Sequence, residues 1–513
     1  MRNTEPPGRR AWLGLLVLVL PTLVVAMDLT GLFLALPRLS AGLGASSTQQ
    51  LWISDSYGFL VAGLVITMGT LGDRIGRRRL LLIGAAAFAV VSVLAAWSPN
   101  PETLIIARAL LGVAGATLTP STLALITSMF RDERQRGRAI AIWATSQFAG
   151  GALGPVLAGF LLQYFSWGSV FLIAVPVMTL LLVVGPMVLP EYRNPAPGRL
   201  DLPSVGLSLA AVLPIVYGLK QLTVEGTGSL LVPVGAILAG VVFGVVFVRR
   251  QLKLETPLLD LRLFRNRPFT AVLVALVFAG VAMAGTGLLV TQYLQSVLGY
   301  SALASAVLFA PMGVAVAAGT MAAPMLTGWL KPVTAIAGGL AVSVLGSVAL
   351  ILVDSEDGLP LVLTGVVVLA LGTGPLFALG TGLVVGSVPV ERAGSAASMS
   401  ETGNYFGGSL GLALLGALGA GVYGSRMAGA VAAGAPASAG ETLAGATAAA
   451  RQLPPAEAAQ LVHTAKDAFT SGVNVTGVVA AVLFATLVVL VAKSRSATES
   501  TAPKAEPQPA VSR

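Results

Sequence analysis

Four ionisable side chains interrupt otherwise apolar blocks of this 513-residue chain: Asp28, Asp55, Arg108 and Glu401. A charged group near the centre of a membrane helix costs about 2.5–3.5 kcal/mol on insertion scales, so a functional role is the first reading for each. A carboxylate that exchanges an arginine for apolar surroundings can take up a proton, and can release it when the arginine returns. Asp28 and Arg108 sit at compatible depths in their blocks and would make such a switch, with Glu401 as a further proton-coupling acid. A structural salt bridge is the alternative, but one arginine cannot neutralise three acids. Asp55 follows Trp52 by three residues and shares its helical face, where an acid beside an aromatic ring suits an organic cation. Its alternative is an ordinary solvated acid near a helix end. Glu401 is followed on its own face by Asn404 and Tyr405, while Gly403, Gly407 and Gly408 leave room for a ligand or a neighbouring helix. Asp55, Trp52, Tyr57, Glu401 and Tyr405 are therefore the candidate substrate-binding set. Trp143, Phe148, Tyr293 and Met27 would supply either a greasy pocket or plain helix packing. Three acids against one base leave such a cavity about two charges negative, which favours cations.

The elements that must hold these groups are membrane helices. The chain is 55% hydrophobic and only 10% charged, and its apolar residues come in blocks longer than about 18. Such blocks fall near 11–37, 51–71, 80–98, 103–128, 139–164, 168–189, 204–221, 229–248, 269–296, 301–326, 332–353, 359–387, 396–425 and 470–492, about fourteen spans at 1.5 Å per residue. The first block follows Arg9 and Arg10 without a small-x-small cleavage site and reads as a retained span. The net charge of +9 does not indicate nucleic-acid binding, because the basic residues cluster in short loops, as at Arg74, Arg77, Arg78 and Arg79. Placed inside, these loops hold about 25 of the 31 Lys and Arg, which predicts cytoplasmic N- and C-termini. There is no cysteine, and the single histidine, His463, lies outside the spans, so thiolate, disulfide and histidine metal sites are excluded. No G-x-x-x-x-G-K-[ST] loop occurs, so energy is expected from a proton gradient rather than a nucleotide, with no cofactor. The segment 133–143 (ERQRGRAIAIW) is echoed at 391–400 (ERAGSAASMS), the mark of a transporter built from two related halves.

Three motifs follow in order. After the second block stands Gly69-Thr-Leu-Gly-Asp73-Arg74-Ile-Gly76-Arg77-Arg78-Arg79, whose glycines permit a tight turn and whose acid can link charges at a membrane edge. The fourth block carries Arg108 with Gly112 and Gly115, and the fifth carries Gly150, Gly154, Pro155 and Gly159. Small residues four apart let helices approach closely, and proline bends them.

The pattern resembles the major facilitator superfamily: its cytoplasmic signature loop, its buried-arginine motif and its antiporter motif. Met27-Asp28-Leu-Thr30, Ala35-Leu36-Pro37 and Thr48-Gln-Gln-Leu-Trp52-Ile-Ser-Asp55-Ser-Tyr57 resemble its fourteen-span drug:proton antiporters, specifically the QacA/SmvA/LfrA-like multidrug efflux branch. That resemblance implies an all-α membrane protein with two six-helix bundles (11–189 and 269–493) and an inserted helix pair within 190–268. It further implies a short cytoplasmic N-terminus (1–10), an outer loop at 426–469 and a disordered cytoplasmic tail (494–513). The implied activity is proton-coupled export of quaternary ammonium compounds, dyes and fluoroquinolones by a monomer in the inner membrane of a bacterium, not an enzymatic reaction. The partners are lipophilic cations, protons and the bilayer. The signature-loop residues Gly69, Asp73, Arg74, Gly76 and Arg77 would gate the alternating-access cycle. Export of an endogenous metabolite or self-made antibiotic is the alternative on the same fold. Val316 and Tyr405 stand where QacA has acids, so export of divalent cations is not implied.

Overall fold

The computed structural model describes residues 9–45, 47–193, 201–221, 230–254, 257, 261–265, 267–386, 393–432, 439–440 and 442–499, and every regular element among them is helical. In order these are α1 (Arg9–Leu43), α2 (Ser47–Ile75), α3 (Arg77–Ala96), α4 (Pro101–Met129), α5 (Glu133–Tyr164) and α6 (Ser169–Val188). There follow α7 (Leu202–Gln221), α8 (Leu231–Lys253), α9 (Arg267–Gln292, continued by a π-helical turn at Tyr293–Val297), α10 (Ala302–Leu326), α11 (Pro332–Ile351) and α12 (Leu359–Gly386). The chain closes with α13 (Ala393–Ala432), the short α14 (Leu443–Ala450) and α15 (Pro455–Glu499).

Twelve of these helices are long and apolar enough to cross a bilayer. The sequence predicts two more, and the helices α2 and α7 stand there. Helix starts follow local chemistry. The Asn100 side chain accepts a hydrogen bond from the Thr103 amide (2.8 Å) with Pro101 in the first turn of α4, and Asp132 accepts one from the Gln135 amide (2.9 Å) at α5. Pro375 removes a helical donor within α12, and the next turn, Leu376–Gly380, widens to π geometry.

Two apolar cores organise the molecule. One gathers side chains from α1 to α6, including Leu18, Tyr57, Phe88 and Trp143; the other gathers α9 to α15, including Leu276, Tyr293, Leu340 and Phe484. α7 and α8 contribute to neither among the described residues. They pack on each other, with Gly240 against the Ala211 carbonyl, and on α2 through Val65, Ile66 and Phe247. Their ends are tied by a two-point ion pair, Arg250 donating to both Asp201 oxygens at 3.0 and 2.9 Å. Those hydrogen bonds from Arg250 hold the Asp201 carboxyl below the usual carboxylate range.

The segment 426–469, expected as a loop, is largely helical. Its alanine-rich sequence extends α13, forms α14 and starts α15, and Ala439, Leu443, Ala446 and Ala465 are buried in the second core. The tail expected as disordered from 494 continues α15 as far as Glu499; residues 500–513 lie outside the described residues.

Candidate functional site

Arg108 reaches from α4 across the first core to Asp28 on α1. Its Nη1 donates to Asp28 Oδ2 at 2.6 Å, and both side chains are sealed from solvent (0% and 7% exposed). Its Nε donates to the Ile53 carbonyl of α2 at 3.2 Å, and the guanidinium lies 4.7 Å from the centroid of the Tyr57 ring. Nη2 has no partner among the described residues. The glycines one and two turns further along α4 explain how α2 comes so near. A side chain on Gly112 would meet the Tyr57 carbonyl at 2.6 Å, and one on Gly115 the Tyr57 hydroxyl at the same distance. Tyr57, expected to touch substrate, is instead fully buried beneath Arg108 and edge-on to Phe88.

Glu401 belongs to the other half. It is 4% exposed on α13 and lines a narrow cavity of about 20 Å³ with Trp143, Gln147 and Phe148 of α5, Leu276 of α9 and Phe377 of α12. Thr381, Ser400 and Asn404 complete the polar part of the wall. Gln147 stands within reach of Glu401, whose Oε2 has no partner among the described residues, and Glu401 makes no ion pair among them. Aligning the repeated segments at Glu133 and Glu391 puts Trp143 in register with Glu401, so the two halves supply corresponding positions to one cavity. Gln147 escaped the sequence reading because an uncharged amide in a helix carries no signal of its own. Phe148 packs on Phe377 with ring centroids 4.8 Å apart, and Trp143 donates to Thr122 Oγ1 at 3.1 Å. Of the other apolar candidates, Met27 is buried against Gly154. Tyr293 is buried in its π turn, donating to the Asp354 carbonyl, so neither lines this cavity.

The antiporter-motif glycines press α5 onto α1. A side chain on Gly150 would lie 2.2 Å from the Leu23 carbonyl, and one on Gly154 would lie 2.7 Å from the Met27 carbonyl, one residue before Asp28. Pro155 lies inside the same helix, and Gly159, one turn beyond it, is half-buried. The opposite side of α5 faces α10, where Thr145 donates to the Ala317 carbonyl at 3.4 Å. Thus α5 touches the Asp28 helix and the second half at once.

In the signature loop, Gly76 adopts φ 109°, a conformation open to glycine at little cost, and starts α3. Arg77 turns back to pair with Asp73 and is completely buried, beside Gly72. Its amide donates to the Tyr192 carbonyl at 2.9 Å, and that of Arg78 to Glu191 at 3.1 Å. Glu191 and Tyr192, which follow α6, are loop partners that the motif alone does not reveal. Gly69 is buried and Arg74 half-buried near the end of α2.

The side chains of Asp55 and Tyr405 lie outside the described residues. Trp52 does not face the Glu401 cavity: its ring stacks on Tyr217 of α7 (6.1 Å, 23°) and meets Phe59 edge-on.

At the arginine-rich end the halves are in contact. Val385 of α12 joins the first core, and Ala141 of α5 packs with Ala323 of α10 and Ala378 of α12; nearer the middle of α5 and α10 a side chain on Gly313 would strike Ala152.

Comparison with known proteins agrees with this architecture. The family model described as Major Facilitator Superfamily matches residues 18–412. The chain is 42% identical to the multidrug efflux pump LfrA of Mycolicibacterium smegmatis over 94% of its length and 95% of that protein. It is 34% identical to the methyl viologen resistance protein SmvA of Salmonella typhimurium over 80% and 82% of the two chains. Its fold matches the crystal structure of the human organic anion transporter MFSD10 with a TM-score of 0.60 at 14% identity, covering 95% of this chain and all of that one. With a buried arginine–aspartate pair, two helical cores and a family match over most of its length, the chain belongs to the major facilitator superfamily and is a multi-pass membrane transporter.

Proposed function

We propose that this protein exports lipophilic cations in exchange for protons by alternating access. The observation that carries the reading is Glu401, a buried acid without a basic partner among the described residues, in a cavity whose walls come from both halves. An intramembrane acid of this kind can carry a proton in one state of the cycle and meet a cation in another. Asp28 supplies a second exchangeable carboxylate, with Arg108 as the partner it leaves and regains. The relatives named for multidrug efflux and for resistance to methyl viologen, a cation, support quaternary ammonium compounds and cationic dyes as the substrate class. With α2 and α7 counted as membrane helices the chain has fourteen spans, and its arginine distribution puts both termini in the cytoplasm of a bacterial cell. The contacts at the arginine-rich end then correspond to a conformation closed towards the cytoplasm.

Ethidium efflux from cells or vesicles carrying the protein should collapse when a protonophore abolishes the proton gradient while ATP is maintained. Efflux that continues under those conditions overturns the antiporter reading.

A further inference from the structure

Gln147 and Glu401 meet in the wall of one cavity, from helices that belong to different halves, since α5 is built into the first core and α13 into the second. Trp143 and Phe148 of α5 flank Gln147, and Asn404 lies one turn beyond Glu401 on α13. Among the described residues, no ionisable group of α5, α9 and α12, the helices that line this cavity with α13, shares its wall with the acid. α2, α4, α7 and α15 also pack on α13 but contribute no lining residue. Among the described residues, the neutral amide of Gln147 is the partner set beside Glu401 from the other half.

A carboxamide is suited to that position in a way no other side chain is. Its N–H donates and its C=O accepts. An ionised Glu401 can take one hydrogen bond from the amide, which leaves its second oxygen buried without a donor, as Oε2 is in this conformation. A protonated Glu401 can face the same amide with two bonds: its O–H donates to the amide oxygen while its carbonyl oxygen accepts from the amide nitrogen. Both carboxyl oxygens are then satisfied without water or a cation. A lysine or arginine at 147 would hold the acid charged in the closed state, and a leucine would leave it unpartnered in either form.

We propose that Gln147 is a positioning residue that ties the protonation of Glu401 to closure of the two halves over the cavity. The neutral acid–amide pair is the arrangement that can be occluded. Loss of the proton breaks it to a single bond and opens the site to water or to a cationic substrate. The proposal rests on the antiport reading for its functional meaning, while the pair itself can be tested without transport.

The test is an infrared pH titration of the purified protein, following the C=O stretch of the protonated carboxyl, with Glu401→Gln used to assign the band. In Gln147→Leu the band should change frequency and its titration midpoint should move by about one pH unit, the worth of a hydrogen bond to a charged group. Gln147→Asn, which keeps the amide but withdraws it by one methylene, should shift the band in the same sense. In transport, Gln147→Leu should displace the pH profile of ethidium–proton exchange, and should have no further effect on that profile in a Glu401→Gln background. A Glu401 band unmoved by either Gln147 variant overturns the proposal, as does an equal displacement of the profile in both backgrounds. Efflux insensitive to a protonophore, with the band still shifted, would instead overturn the antiport reading and leave the acid–amide pair established.

Discussion

At the scale of single residues, the Asp28–Arg108 pair combines burial with exchangeability. Taking two charges out of water is costly, and the pair is sustained by a 2.6 Å contact, the Ile53 carbonyl and the Tyr57 ring. Removing one partner strands the other. Arg108→Ala should lower stability by about 3–5 kcal/mol, the range for breaking a buried ion pair, and reduce the amount of folded protein recovered in detergent. Asp28→Asn keeps the shape and removes titration. It should leave the protein inserted and folded while abolishing proton-coupled dye efflux. Wild-type coupling in that variant would assign Asp28 to structure alone. The position of Tyr57 sharpens the contrast with Glu401: the tyrosine is part of the arginine's seat, whereas the glutamate lines a small cavity.

At the scale of elements, α5 is the helix on which the halves meet, because glycine lets its backbone lie directly against α1 while its other side faces α10. Gly150→Val should therefore do more harm than an ordinary lipid-facing substitution. Its side chain would have to displace the Leu23 carbonyl, so a lower melting temperature and a loss of about 1–3 kcal/mol or more are expected from overpacking. Gly151→Val, where the nearest atom is 3.9 Å away, serves as the control and should melt close to wild type. The α7–α8 pair has its own electrostatic clasp. Because Arg250 lowers the folded-state value of Asp201, the clasp stabilises the native state above the unfolded value of about 3.9 and is lost as pH falls through the lowered one. Asp201→Asn should abolish that contribution, so the difference in melting temperature between variant and wild type should shrink on acidification below about pH 4. A difference independent of pH would assign the effect to packing.

At the scale of the whole molecule, α12 packs onto α5 at the arginine-rich end, while the signature loop holds Arg77 buried on Asp73 and Glu191 against the start of α3. None of these loop residues lines the Glu401 cavity. Asp73→Asn and Arg77→Ala should accordingly slow turnover several-fold while equilibrium binding of ethidium, read by fluorescence polarisation, changes little. Weakened binding at normal turnover would contradict a gating role for the loop. What the sequence determined by itself was whatever the bilayer dictates locally. Runs of apolar residues must become helices because lipid offers the backbone no other partner, and charges within those runs stand out by their cost. Asp28, Arg108 and Glu401 were legible for that reason, as were the motif glycines. The tertiary structure decided which of these groups have partners and which face space. Arg108 could be matched to Asp28 by depth, but only the approach of α2 set the Tyr57 ring against its guanidinium, and only the approach of α7 set Tyr217 against Trp52. Gln147 became significant solely through the meeting of α5 with α13, helices about 250 positions apart in the chain, because a neutral amide acquires chemistry only from the group placed opposite it. The helices at 426–469 were hidden for a related reason: alanine and glycine carry too weak an apolar signal to mark a buried face until the second core is there to cover it.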